Sequence, residues 1–270
     1  MRRSNPRSPR AADEARARSW PWAVLGATLG VVLALVAWAP ARWLASALHS
    51  ATEGQVQLVN PRGTVWNGSA AVVLASGSGG ADAISLPGQL RWQLRPRGAG
   101  LRGVLDLPCC ASRPLGFAIG RSDGGLRLSW QDSLTRWPAA MLAGLGAPWN
   151  TLRPEGTLDL RTQAFSLRWT DGGLGIDGGA TLDATDIASS LATLRPLGSY
   201  RLALTGGPAP TLLLTTLGGS LQLTGSGAWT GQALRFSGEA SAAPGSEAAL
   251  SNLLNIIGRR EGTRSIITLG

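Results

Sequence analysis

From residue 90 to residue 95 the sequence reads Leu-Arg-Trp-Gln-Leu-Arg, and apolar and polar side chains alternate without a break. A period of two directs one set of side chains into a core and the other into solvent, which is the pattern of a half-buried β-strand. The same alternation recurs in the segments 126–131, 158–161, 165–169, 200–204, 221–224 and 234–237. This repetition predicts that the chain after about residue 54 is dominated by short strands.

The segments between these strands are short and rich in glycine, which occurs 37 times in 270 residues. Glycine pairs such as 124–125, 178–179, 206–207 and 218–219 interrupt the alternating runs. Breaks of this length are typical of hairpins and tight loops. Few of the breaks hold a helix-length pattern, so an antiparallel meander is favoured over parallel βαβ units.

Two segments have helical spacing instead. Residues 133–147 carry apolar side chains on one helical face, with a proline near the start, where a helix tolerates it. Residues 247–257 repeat leucine and isoleucine at i, i+3, i+4 and i+7. Ser246 is the predicted N-cap of this second helix and Gly258 its C-terminal stop. A final strand is predicted from Ser265 to Leu269.

The amino-terminal part of the chain has the features of a membrane anchor. No charged residue lies between Arg18 and Arg42, and a helix of that length can cross a hydrocarbon core of about 30 Å. Tryptophans flank the apolar stretch at both ends, as in an aromatic belt: Trp20, Trp22, Trp38 and Trp43. Six arginines precede the stretch: Arg2, Arg3, Arg7, Arg10, Arg16 and Arg18.

By the positive-inside rule, this asymmetry keeps the amino terminus in the cytoplasm. The sequence therefore predicts a basic cytoplasmic tail (1–18), a transmembrane anchor (19–43) and a periplasmic β-rich domain (44–270) in a bacterial inner membrane. A cleaved signal peptide is the competing interpretation, because residues 37–39 read Ala-Trp-Ala. Pro40 opposes cleavage there, and the apolar stretch is longer than a usual signal core.

The sequence offers few groups for chemistry. The short tail alone carries +4 of the net charge of +9, and no basic run with interleaved aromatics follows, so nucleic-acid binding is not expected. The single histidine, His49, lacks a catalytic motif, and no His/Cys cluster has zinc spacing. Asp177, Asp183 and Asp186 lie near one another, but no calcium loop surrounds them. We expect no enzymatic activity, cofactor, metal or small-molecule substrate.

Cys109 and Cys110 are adjacent in the sequence. Because the periplasm oxidises thiols, we expect that they are not both free. A vicinal disulfide closes a strained ring, and a cross-link to another chain is an alternative. A structural pair of thiols is a third possibility.

Five segments together resemble one known family, the type II secretion system protein N (general secretion pathway protein N). They read Gly-Thr-Val-Trp-Asn-Gly at 63–68, Leu-Pro-Gly with Leu-Arg-Trp at 86–92, Gly-Ala-Pro-Trp-Asn-Thr-Leu at 146–152, Pro-Leu-Gly-Ser-Tyr at 196–200, and Leu-Leu-Asn-Ile-Ile-Gly-Arg-Arg at 253–260, which leads to Ile-Ile at 266–267. Each segment alone is a weak signal, whereas the ordered set is specific.

The resemblance implies a membrane-anchored, elongated β structure similar to AsmA-like envelope proteins. Together with the residue patterns above, it predicts an all-β-dominated protein with a single amino-terminal membrane helix, an elongated, curved antiparallel sheet and two short helices. It implies an accessory role in a machine that moves folded proteins from the periplasm across the outer membrane. Other secretion-system components and inner-membrane lipid are then its expected partners. Two hypotheses follow, a scaffold or a lipid-guiding groove. A filled core favours the scaffold, and an apolar lining open to solvent favours the groove.

Overall fold

The computed structural model describes residues 10–76, 83–122, 124–170, 173–230 and 233–270, so the first half of the predicted tail lies outside the described residues. The helices are α1 (Arg10–Ala37), α2 (Ala41–Ala51), a 3₁₀ helix (Ala139–Leu145), α3 (Trp149–Leu152) and α4 (Glu247–Ile257). The strands are β1 (Val56–Gly63), β2 (Asn67–Leu74), β3 (Ile84–Ser85), β4 (Leu90–Arg97), β5 (Gly100–Asp106), β6 (Leu115–Ser122), β7 (Gly125–Trp130), β8 (Ser133–Pro138), β9 (Glu155–Thr170), β10 (Gly173–Ala188), β11 (Gly198–Gly207), β12 (Thr211–Gly219), β13 (Leu221–Thr230), β14 (Ala233–Ala242), β15 (Arg259–Glu261) and β16 (Arg264–Leu269).

All sixteen described strands belong to one curved antiparallel sheet. The path through the sheet follows the chain from β1 to β14, with β3 beside β2 and β8 beside β9 as side branches, and it ends in β16 and β15. The predicted all-β character and the antiparallel meander are therefore confirmed.

Alternation along the strands gives the sheet one apolar and one polar face. Trp92 of β4 lies opposite Leu105 of β5, and Leu105 lies opposite Leu115 of β6. Trp92 is only 2% exposed, whereas its chain neighbours Arg91 and Gln93 are exposed. The period of two thus separates core from solvent as the sequence predicts.

Two predicted strands, 158–161 and 165–169, are halves of one long strand, β9. The register with β10 shifts between Asp177 and Gly179, where Ala164 has a φ of 47° and Gly178 a φ of 75°. The backbone N–H of Ala164 donates to Asp132 Oδ1 at 2.6 Å. The prediction of a strand break at the glycine pair 178–179 is therefore wrong, since these residues form a bulge inside β10.

The apolar face is covered at both ends of the sheet. The first core lies beneath α2 and the 3₁₀ helix and consists of Ala41, Leu58, Ala70, Val72, Leu74, Leu86, Trp92 and Cys110. The second core lies beneath α4 and consists of Ala192, Leu197, Tyr200, Leu221, Ala240, Leu250, Leu253 and Leu254. Within the second core the Tyr200 hydroxyl donates to the Leu221 carbonyl at 3.1 Å, and burial raises the pKa of Tyr200. Each end of the sheet therefore has its own packed centre.

The helix predicted for 247–257 is confirmed as α4. Its three leucines, Leu250, Leu253 and Leu254, are fully buried on the sheet. The Ser265 hydroxyl of β16 donates to the Leu254 carbonyl at 2.5 Å and joins the helix end to the sheet. The strand predicted for 265–269 is confirmed as β16.

The helix predicted for 133–147 is wrong. Residues 133–138 form β8 and pair with β9 from Thr162 to Thr157. Thr135 is buried and Trp137 faces the first core, so the alternation of a strand, not the period of a helix, matches the packing. The 3₁₀ helix (Ala139–Leu145) takes up most of the rest of the segment.

The amino-terminal segment contains two helices. α1 ends at Ala37 and α2 begins at Ala41, with Pro40 as its N-cap, so the segment predicted as an anchor (19–43) contains a helix boundary. Within the part of the chain that the structure describes, no helix combines the length and apolar content of a membrane span.

Arginines and carboxylates form cross-strand ion pairs on the polar face. Arg127 of β7 and Arg168 of β9 lie directly opposite each other, a like-charged pair that is unfavourable on its own. Asp177 of β10 accepts hydrogen bonds from both, at 3.3 Å from Arg127 Nη2 and at 2.8 Å and 2.9 Å from Arg168 Nε and Nη2. The hydrogen bonds from Arg168, with a smaller contribution from the Arg127 charge, lower the pKa of Asp177.

We predict that Asp177→Asn lowers the free energy of unfolding of the full-length protein by about 1 kcal/mol at neutral pH, after allowance for solvent screening. A carboxylate whose pKa is lowered by folding stabilises fully above its unfolded pKa and loses this effect as the pH falls through its folded pKa. The difference between native protein and variant should therefore disappear in acid. Urea unfolding followed by tryptophan fluorescence from about pH 7 to about pH 2 measures this.

Asp106→Asn is the matched control, because the Asp106–Arg91 pair is longer, at 3.6 Å, and more exposed. Its effect should stay within about 0.5 kcal/mol. Equal destabilisation by the two substitutions, or a difference for Asp177→Asn that persists in acid, would contradict the assignment.

Candidate functional site at the helix–sheet junction

The turn between β1 and β2 has a local geometry that its sequence dictates. The Thr64 N–H donates to the Asn67 carbonyl at 2.9 Å, and the Asn67 N–H donates to Thr64 Oγ1 at 3.1 Å. Gly63 has a φ of +85°, and a Cβ there would collide with the Asn67 carbonyl oxygen. The turn is therefore closed from both sides and requires glycine at position 63.

This turn holds the carboxyl end of α1. The last carbonyls of a helix lack partners within the helix. The indole N–H of Trp66 donates to the Val36 carbonyl at 2.7 Å, and the Val65 N–H donates to the Ala39 carbonyl at 2.8 Å. The turn thus supplies one donor to the last turn of α1 and one to the segment just after it, and these two bonds fasten α1 to the β domain.

The segment between the two helices is also fixed by the turn. Pro40 forms an antiparallel bridge with Thr64. Ala41, the next residue, is buried in the first core, and Leu44 and Leu48 of α2 pack against the same core. The chain therefore changes direction at Pro40 while it remains in contact with the sheet.

Trp92 supports the turn from the sheet side. Its indole N–H lies 3.2 Å from the Thr64 carbonyl and 3.0 Å from the Val65 carbonyl, which satisfies a buried polar group. Its ring lies against Gly68, where a Cβ would overlap the indole. We call residues 36–41, residues 63–68 and Trp92 the helix–sheet junction. Its contacts couple a helix to a sheet and involve no titratable side chain.

The role of the junction was not predicted from the sequence. The segment 63–68 was singled out only for its family resemblance, and Trp92 for that resemblance and for the alternation at 90–95. The contact between Trp66 and Val36 joins residues 30 positions apart, so no local pattern reveals it. The one sequence feature that could have indicated the junction is a tryptophan in a short segment bounded by two glycines.

The predicted cysteine pair lies in the turn after β5. The Cys110 N–H donates to the Leu107 carbonyl at 3.0 Å, and the Cys110 carbonyl accepts the Arg136 N–H of β8 at 2.7 Å. Cys110 is buried in the first core and Cys109 is exposed. The two sulfur atoms lie at bonding distance. The bond itself stays a prediction.

The other residues considered for chemistry do not converge. His49 is exposed in the last turn of α2. The two carboxylate oxygens of Asp183 accept hydrogen bonds from Arg201 Nε and Nη2 at 2.6 Å and 2.8 Å, and these bonds lower the pKa of Asp183. Asp177 pairs with Arg127 and Arg168 instead. Asp186 is exposed, and its N–H donates to Ser199 Oγ. Among the described residues, no group of His, Cys, Asp or Glu is placed to hold a metal ion.

Together these features define a class of protein: a single long antiparallel meander joined at one end, through a tryptophan-containing turn, to an amino-terminal helix. The family model "Type II secretion system (T2SS), protein N" matches residues 54–267, which is most of the chain and nearly all of the sheet. The chain belongs to this family, as its motifs suggested. Neither the curated proteins nor the solved structures contain a significant match to it.

We predict that Trp66→Phe loosens the junction without disturbing the rest of the sheet. Phenylalanine keeps the ring but removes the N–H that bonds to the Val36 carbonyl, a loss of about 1 kcal/mol. Local opening at residues 38–43 should then rise about five-fold, as should tryptic cleavage after the exposed Arg42. Timed proteolysis of the full-length protein measures this.

Trp169→Phe is the matched control, because Trp169 is exposed on β9, far along the sheet from the junction. Cleavage after Arg42 should be unchanged in this variant. An equal rate for the Trp66 variant and the native protein would show that the hydrogen bond does not fasten α1.

We predict that the two cysteines are not both free thiols in the exported protein. The periplasm, where the sequence predicts this domain to lie, oxidises thiols, and the two sulfurs are adjacent. Maleimide alkylation of unreduced, denatured protein followed by mass measurement should find no pair of modified cysteines, and two should appear after reduction. Two alkylated cysteines before reduction would contradict the prediction.

Proposed function

We propose that this protein is a non-enzymatic accessory component of the type II secretion system that helps folded proteins leave the periplasm through scaffolding or assembly contacts. The observation that carries the proposal is the family match over residues 54–267. That range begins just before β1 and ends within β16, so the β-sheet is the part of the chain that the family shares. The proposed partners are other components of the same secretion system.

The location is part of the proposal: a cytoplasmic tail (1–18), an inner-membrane anchor (19–43) and a periplasmic domain (44–270). Its support is the arginine asymmetry of the sequence and the exposure of apolar side chains along α1. Trp22 is 74% exposed, and Leu25, Leu29, Val32 and Leu33 are exposed as well. Side chains of this kind lack a packing partner in the β domain, and a bilayer would supply one.

A scaffold needs surfaces that accept partners, and a long sheet offers its edges. β15 is short and all of its residues are exposed and charged, which disfavours unspecific strand pairing. It covers β16 only from Arg264 to Ile266, so residues 267–269 keep one edge without a neighbouring strand among the described residues. This far end of the sheet is the proposed contact edge.

A second candidate function is the guidance of lipid along the apolar face, by analogy with AsmA-like proteins. One observation favours it. Leu126, Trp169 and Leu174 form a continuous cross-strand row on β7, β9 and β10 and are 47%, 42% and 37% exposed. The two cores fill the ends of this face, but its middle is only partly covered.

We predict that loss of the protein impairs the release of folded exoproteins but leaves their entry into the periplasm intact. A working domain beyond the inner membrane acts after signal-peptide removal, so processed exoproteins should collect in the periplasm of a deletion strain. Fractionation and immunoblotting measure this. Complementation with the chain fused at Gly270 to alkaline phosphatase reports the topology in the same strain, and the fusion should be active.

Unprocessed precursors in the cytoplasm would contradict both candidate functions. Normal secretion with a leaky, lipid-altered outer membrane would favour lipid guidance over the secretion role. An inactive phosphatase fusion, with an active cytoplasmic reporter at the same site, would contradict the proposed topology.

A further inference from the structure

A row of polar side chains crosses four neighbouring strands beside the junction. Arg62 of β1 lies opposite Ser69 of β2, Ser69 lies opposite Arg91 of β4, and Arg91 lies opposite Asp106 of β5. These four residues line one open depression of about 660 Å³ on the polar face. Asn67 and Gln93 form the next row and add two amide groups to the lining.

The charges in this row are largely unused by the protein itself. The Arg62 side chain makes no hydrogen bond or ion pair with the described residues. Arg91 reaches Asp106 only at 3.6 Å, and the two side chains are 66% and 39% exposed. By contrast, the arginines further along the polar face, such as Arg168 and Arg201, are paired at 2.6–2.8 Å. The depression therefore presents two available guanidinium groups and one available carboxylate.

The depression lies next to the turn that fastens the sheet to α1. Arg62 and Ser69 are the immediate neighbours of Gly63 and Gly68, the outer residues of the junction turn. That turn donates hydrogen bonds to the carbonyls of Val36 and Ala39 at the end of α1. If α1 is the membrane anchor, the depression lies beside its periplasmic end, close to the headgroup layer.

We propose that this depression binds the phosphoethanolamine headgroup of a membrane phospholipid, an inference that rests on the proposed membrane anchor. Neighbouring strands are about 4.8 Å apart, so Arg62 and Arg91 lie about 10 Å apart on either side of Ser69. Both guanidinium groups can converge on one phosphate above the serine hydroxyl. Asp106 lies one strand beyond Arg91 and two strands from Ser69, so a phosphate held on the Arg91 side of this row brings the ammonium group within reach of the carboxylate.

The Asp106 carboxylate should make the depression selective among phospholipid headgroups. A phosphoglycerol headgroup has a phosphate for the arginines but no cation for Asp106, whose negative charge would then repel the phosphate without compensation. A phosphocholine headgroup has a cation without N–H donors, so it cannot hydrogen-bond to the carboxylate. Phosphoethanolamine matches the two arginines and the carboxylate at once.

The experiment measures lipid binding to the full-length protein in detergent by native mass spectrometry. The probes are phosphatidylethanolamine, phosphatidylglycerol and phosphatidylcholine with identical acyl chains. Phosphatidylethanolamine should bind about ten-fold more tightly than the other two. Arg62→Gln and Arg91→Gln should each weaken its binding about ten-fold, and Asp106→Asn should remove the preference over phosphatidylglycerol.

Arg95→Gln is the matched control, because Arg95 is exposed on the same strand as Arg91 but outside the depression. It should leave binding unchanged. Equal affinity for the three lipids, or equal weakening by Arg95→Gln and Arg62→Gln, would overturn the proposal. Free phosphoethanolamine that binds as tightly as the lipid would overturn the lipid assignment. Thermal unfolding of each variant verifies that it is folded, and Arg62→Lys should retain part of the affinity.

Failure of this inference is distinguishable from failure of the proposed anchor. Carbonate extraction of membranes shows whether the chain is integral. A chain released by carbonate contradicts the anchor. A chain retained in the membrane that shows no headgroup preference contradicts only the headgroup site.

Discussion

The single-layer sheet is the constraint on which the rest of the structure depends. Each strand finds its hydrogen-bond partners in its neighbours along the chain, so the backbone is satisfied without a second sheet. One apolar face is then left to cover, and the chain has few helices for this purpose. α2 and the 3₁₀ helix cover one end, and α4 covers the other. The partly exposed middle of the face follows directly from this shortage.

Ion pairs on the polar face help to fix the register of the long strands. Asp159 and Asp183 lie directly opposite each other on β9 and β10, which alone is unfavourable. Arg136 and Arg201 flank them on the adjacent strands and bind them at 2.7 Å and 2.6 Å. A slip of one residue would separate each carboxylate from its arginine and turn the apolar set outward, so charge pairing and burial specify the same register.

Local patterns predicted the elements whose structure is itself local. The alternation at 90–95 and the spacing at 247–257 each carry a complete signal within one element, and both predictions hold. The segment 133–138 failed because its pairing with β9 joins residues 25 positions apart, such as Thr135 and Leu160. The strand break predicted at 178–179 failed for a similar reason, since the bulge found there depends on Ala164 in the neighbouring strand. The junction depends on Trp66 and Val36, so the sequence could mark its residues but not their contact.

The family match and the architecture divide the chain into two parts, the two amino-terminal helices and the sheet. Residues 54–267 contain the sheet and leave α1 and α2 outside, so what the family shares is the sheet. Fourteen strands in series at about 4.8 Å give the sheet a path on the order of 60 Å before twist shortens it. A sheet of that length, fastened to α1 through the turn between β1 and β2, has a far edge whose position depends on the direction in which the sheet leaves the helix. The Trp66 and Val65 hydrogen bonds set that direction, because a small rotation at the junction is multiplied along the whole path. If α1 is the proposed anchor, the junction determines where the far edge of the sheet can meet a partner.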